Sequence, residues 1–173
     1  STPFVTTHAL EALLELRDVA LLDDETPIRR AAAYLVSTLR ENGPFAAEDA
    51  APWEGHDPWV STAASLEALH AIARALPSDD PLRIIVRDEL FAPRLAEVMA
   101  SSSPDPLALA HAVTAGMWLE ALDREQLEEL VPRLADVRAI THWEPGWFDA
   151  WGGNVEAAAT TLNFRAASRR VFL

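Results

Sequence analysis

The strongest constraint on the fold of this chain is a set of Ala- and Leu-rich stretches that are apolar around most of a helical circumference. "LEAL" occurs at 10–13, 66–69 and 119–122, inside "VTTHALEALLEL", "VSTAASLEALHAI" and "LALAHAVTAGMWLEAL". A fourth stretch of the same character, "NVEAAATTLNF", begins at Asn154. The spacing of 53 to 56 residues indicates an array of similar units. In the first stretch Val5, Ala9, Ala12, Leu13 and Leu16 share a helical face, Leu10 and Leu14 flank it, and Glu11 and Glu15 form a narrow polar stripe. In the second, Glu67, His70 and Arg74 make the stripe. A helix with so little polar surface must be covered on several sides, so these stretches are expected to be inner helices.

More amphipathic helices lie between them. "TPIRRAAAYLVSTLREN" puts Ile28, Ala31, Ala32, Leu35 and Leu39 on one side and Arg29, Arg30, Ser37 and Arg40 outward. "DDPLRIIVRDELFAPRLAEVMA" and "DREQLEELVPRLAD" follow, each expected to bend at its internal proline, Pro93 or Pro132. Thr26-Pro27 and Asp80-Pro81 read as an N-cap followed by proline at the first helical position, and Asp123 precedes the third outer helix. No segment sustains period-two alternation, so the chain is expected to be all-α over 1–173, a single helical domain or part of one. Alternating inner and outer helices predict an α/α toroid, in which hairpins form two concentric rings. About three and a half hairpins are fewer than a closed ring uses, so a partial ring is expected. The opening Ser-Thr in place of Met points the same way, to part of a larger protein. Such a partial ring exposes the apolar flanks of its inner helices and is expected to self-associate or to be marginally stable.

Composition excludes some function classes. A net charge of −13 disfavours a nucleic-acid backbone or an anionic membrane as partner. No apolar run approaches the roughly 20 residues needed to span a bilayer, so no membrane insertion is expected. There is no Cys, which rules out disulfides, thiol nucleophiles and thiolate metal sites within these residues. All 14 basic residues are Arg.

Several residues are candidates for chemistry. Asp23-Asp24-Glu25 and Asp79-Asp80 resemble acidic diphosphate-binding clusters, but each directly precedes a proline and a helix, where acidic residues complement the helix dipole. His142, Glu144 and Asp149 offer one imidazole and scattered carboxylates, a weak case for zinc against a structural loop; no metal and no cofactor are expected. His8, His70 and His111 on the inner helices read as buried or rim polar residues. His56 differs, lying in "NGPFAAEDAAPWEGHDPW" between Glu54 and Asp57, which are expected to raise its pKa and hold its tautomer. Trp143, Trp147 and Trp151 precede Gly152-Gly153; they either form an aromatic lip for a ligand or cover helix ends while the glycines make the turn.

Taken in order, these signals resemble the thioester-containing domain of the α-macroglobulin and complement family, itself an α/α toroid. "STPFVTTHALEALLEL" is similar to the inner helix that opens there on a Ser-Thr pair. "IRRAAAYLVSTLRENGPFAAEDAAP" resembles the next outer helix with its Gly-x-Phe turn and acidic loop. "DPLALAHAVTAGMWLEAL" resembles a later Ala-rich inner helix. "HWEP" followed by "NVEAAATTL" resembles the Trp-Glu segment and Asn-Val-Glu-Ala-Thr helix start. Trp147 and Trp151 are not part of that pattern, so the ligand-lip reading is kept for them alone.

The resemblance implies an internal thioester between a Cys and a Gln, carried upstream of Ser1 because this chain has no Cys. It implies a role in trapping proteases or tagging targets, outside the cell or in the periplasm. It also implies that His56, at or near the family's loop histidine, attacks the thioester and forms an acyl-imidazole. A neutral imidazole suits both steps, as nucleophile and as leaving group. On this reading the chain itself is scaffold and not an enzyme. Two alternatives from other classes stand beside it. One is a toroid enzyme related to terpene cyclases or prenyltransferases, which needs an acidic catalytic motif or zinc ligands not found here. The other is a helical binding module that uses the Trp-rich loop.

Overall fold

Two helices begin where the sequence places a side-chain acceptor just ahead of a proline. The computed structural model describes residues 2–45, 58–101 and 106–140, and all regular structure among them is helical. Helix α1 spans Pro3–Asp18, and the Thr2 hydroxyl accepts a hydrogen bond from the Val5 N–H at 3.4 Å. Helix α2 spans Thr26–Asn42. Its expected cap at Thr26 is displaced: Thr26 is already helical, and its N–H donates to Asp24 Oδ1 at 2.9 Å. Helix α3 spans Pro58–Ala75. Helix α4, Pro81–Ile85, starts at the expected Asp80 cap, whose carboxylate accepts from the Leu82 N–H at 2.9 Å and pairs with Arg29 at 2.7 Å.

From α4 the chain passes through a π-helical turn, Val86–Phe91, into α5, Ala92–Ala100. Pro93 accounts for this turn. A proline cannot donate to the carbonyl four residues back and its ring crowds that carbonyl, so the preceding turn widens. The disturbance expected at Pro93 is thus absorbed before it. Helices α6, Pro106–Trp118, and α7, Arg124–Ile140, complete the described chain. Helix α7 is opened by reciprocal bonds, Gln126 N–H to Asp123 Oδ1 at 2.8 Å and Asp123 N–H to Gln126 Oε1 at 3.0 Å, a capping box.

The C-terminal ends of α1, α3 and α6 are gathered together by two arginines. Arg17, in the last turn of α1, donates to the carbonyls of Ala75 and Arg74 at 3.3 and 3.1 Å. Arg83 of α4 donates to Ala73 and Leu76 at 2.9 and 2.8 Å, and also to the carbonyl of Trp118. Last-turn carbonyls lack intrahelical partners and carry the negative end of the helix dipole, and a guanidinium answers both needs. The three Ala-rich helices therefore run in one direction, with α2 and α4–α5 returning between them. Helices α3 and α6 form the centre, every residue of 62–73 and 108–117 being buried or half-buried. On α2, Ile28, Ala32, Leu35, Val36 and Leu39 are buried while Arg29, Arg30, Ser37 and Arg40 are exposed, as the amphipathic pattern requires.

Two expectations are corrected. On α1 the buried face is Pro3, Thr7, Leu10 and Leu14, whereas Val5, Ala9, Ala12 and Leu16 face outward. A helix apolar nearly all round does not itself select the side that neighbours cover. The third "LEAL" also differs from the other two, because Leu119–Leu122 lies beyond α6 in its closing turn. There Glu120 adopts φ 55° and the Ala121 N–H donates to the Gly116 carbonyl at 2.9 Å. Helix α1 ends in the same way, with Ala20 at φ 56° and the Leu21 N–H donating to Leu16 at 2.9 Å. The 53-residue spacing is thus a repeat of letters and not of structure. Gly116 is required where it stands, since a Cβ there would lie 2.5 Å from the Leu122 side chain and 2.8 Å from Phe91.

Candidate functional site

The polar stripes of α1 and α3 meet along one seam. At the C-terminal end of this seam Arg74 Nη2 pairs with Glu15 at 3.0 Å and Asp18 at 3.2 Å. Toward the N-terminal end of α1, His8 Nδ1 lies 3.2 Å from Glu11 Oε2 and 3.8 Å from Glu67 Oε1. One ligand atom from each of His8, Glu11 and Glu67 falls within 4.8 Å of the others. Phe4 meets the His8 ring edge-on, with centroids 4.4 Å apart. Side-chain exposure falls from 43% at His8 through 30% at Glu11 to 11% at Glu67, so the cluster has an open side and a buried side.

Two further histidines stand behind it. His111 of α6 is buried, and its Nδ1 has no hydrogen-bond partner among the described residues. Burial pushes its pKa down to about 4; Glu11 acts in the opposite sense and His8 in the same sense, which places His111 within electrostatic reach of the cluster. His70 of α3 is pushed down to about 3 by burial first, then by His111 and Arg74. Its ring lies 6.2 Å from that of Trp118. Each of the three parallel helices thus contributes a histidine to one polar region. At neutral pH His70 and His111 are uncharged imidazoles, able to accept a hydrogen bond.

The residues singled out from sequence alone fall elsewhere. His56 lies in 46–57, and Trp147 and Trp151 lie in 141–173, as do Trp143, His142, Glu144 and Asp149; all are outside the described residues. The Gly-x-Phe turn is described up to its phenylalanine. Gly43 closes α2 at φ 73°, its N–H donating to Leu39 at 3.0 Å, and the buried Phe45 donates its N–H to Ser65 Oγ at 3.0 Å. Asp80 caps α4, and Asp24, just ahead of α2, accepts from the first N–H of that helix, in keeping with acidic residues placed at helix starts. Among the described residues no helix is long and apolar enough to cross a membrane.

The grouping of His8, Glu11 and Glu67 was not legible as a site, because its members sit on two helices far apart in sequence. The available signal was the narrowness of the stripes: on an otherwise apolar inner helix, a polar stripe must meet another polar stripe or water. Set beside protein families, curated proteins and solved structures, the chain matches no family model, no curated protein and no solved structure.

Proposed function

We propose that this chain is scaffold in a thioester-type domain of the α-macroglobulin and complement kind, built as a partial α/α toroid. It acts within a protein that traps proteases or tags targets covalently, outside the cell or in the periplasm. The observation that carries this reading is the common direction of α1, α3 and α6 with α2 and α4–α5 returning between them. That is the hairpin layering a toroid is made from. It is joined by the ordered motifs, of which Gly43-x-Phe45 is tethered to Ser65 just where the segment bearing His56 departs.

In this reading a His56 ring nitrogen attacks the thioester carbonyl, the C–S bond breaks and the thiolate leaves. A target hydroxyl then displaces the imidazole to give an ester, its proton passing to the thiolate. The test is uptake of labelled glycerol and labelled methylamine by the full-length polypeptide that contains this chain. His56→Ala is expected to lower glycerol uptake by about 100-fold or more while methylamine still reacts. Failure of the unaltered protein to take up either nucleophile would sink the proposal.

A further inference from the structure

We propose that His8, Glu11 and Glu67 bind a first-row divalent transition-metal ion, with zinc as the reference case. The site is independent of the thioester reading and stands or falls separately from it. Zinc bonds of about 2.0–2.2 Å to imidazole and carboxylate place neighbouring ligand atoms of a tetrahedral centre about 3.4 Å apart. The separations of 3.2 and 3.8 Å from His8 Nδ1 to the two carboxylates bracket that spacing. The remaining distance, within 4.8 Å, closes by side-chain torsion, since His8 and Glu11 are both partly exposed. Phe4, perpendicular to the His8 ring with centroids 4.4 Å apart, limits how that ring can turn.

The donor set selects the ion. An imidazole with two carboxylates favours zinc and its first-row neighbours over magnesium and calcium, which prefer all-oxygen shells. Two carboxylates offset the two charges of the ion, and a chain of net charge −13 attracts cations generally. Three protein ligands with an open side leave a coordination position for water, the arrangement of an exchangeable or catalytic centre rather than a closed structural one.

His111 is the second, independent observation. A buried ring nitrogen without a partner among the described residues is costly, and an ion or ordered water is one way to satisfy it. Glu11 and His8 are the charges that act on His111, so an ion held at the cluster lies within electrostatic reach of its ring. His111 is then a positioning residue for the metal-bound water and not a ligand.

The experiment is calorimetric titration of the chelator-stripped protein with Zn²⁺ at neutral pH, with Co²⁺ absorption as a second readout. Circular dichroism confirms the fold of each variant. One equivalent of Zn²⁺ is expected to bind, and Co²⁺ to give the visible band of a low-coordinate nitrogen–oxygen site. His8→Ala and Glu11→Gln are each expected to weaken binding by at least about 100-fold, and His111→Gln by about tenfold. Glu67→Gln should match the first two; if its burial prevents folding, the more exposed His8 and Glu11 carry the test. The proposal is overturned if there is no saturable uptake at millimolar metal, or if uptake is unchanged by both His8→Ala and Glu11→Gln. It is equally overturned if only His142→Ala abolishes uptake, which assigns the ion to the segment around Glu144.

Discussion

At the scale of single residues, His70 and His111 define how the molecule responds to acid. Both are held uncharged by burial, with pKa values of about 3 and about 4 against 6.5 for an unperturbed histidine. Above pH 6.5 neither the folded nor the unfolded chain holds these protons. Below it the unfolded chain takes them up first, so stability is lost as pH falls from 6.5 toward the folded values. The slope expected from linkage is about 1.4 kcal/mol per pH unit for each histidine. Urea unfolding between pH 7 and pH 5 checks this before most carboxylates titrate. A midpoint that stays constant over that range would show that these imidazoles protonate in the folded state at no cost. Sequence could place His8, His70 and His111 on inner helices, but whether an imidazole there is charged depends on neighbours contributed by other helices.

At the scale of elements, the caps were largely legible and the staples were not. Asp80-Pro81 starts α4 as its residue types require, and Asp123 opens α7 with Gln126 as its reciprocal partner. These contacts are local, so a short stretch of sequence contains both donor and acceptor. Arg83 is different: its guanidinium joins the carbonyls of Ala73 and Leu76 to that of Trp118 and so couples the ends of α3 and α6. Backbone carbonyls leave no mark in sequence, and Arg83 looks like any arginine of an amphipathic helix. Arg83→Met keeps much of the apolar stem and removes these bonds. It is expected to cost about 1.5–3 kcal/mol, the range for hydrogen bonds to a charged group. The check is a lower urea midpoint at unchanged m-value; an unaltered midpoint would mean that water caps these helix ends equally well.

At the scale of the whole molecule, the outward face of α1 governs behaviour in solution. Val5, Leu16 and Leu21 are 57%, 41% and 73% exposed on or just after a helix whose opposite side is fully buried. A cluster of exposed aliphatic side chains of this kind favours association. The 173-residue chain is therefore expected to self-associate with rising concentration, and Val5→Glu combined with Leu16→Glu to return it to monomer. Sedimentation velocity distinguishes the outcomes, and an unaltered chain that stays monomeric at high concentration counts against the idea. The sequence by itself determined that the described chain is helical, where several helices start, and that α3 and α6 lie inside. Those properties follow from periodicity, capping and the cost of exposing apolar surface, all of which act within a few turns. Only the tertiary structure decided which side of α1 is covered, that the third "LEAL" closes a helix instead of filling one, and that His8, Glu11 and Glu67 converge. Each of those depends on which helix stands opposite, and a helix apolar nearly all round accepts a neighbour on almost any side.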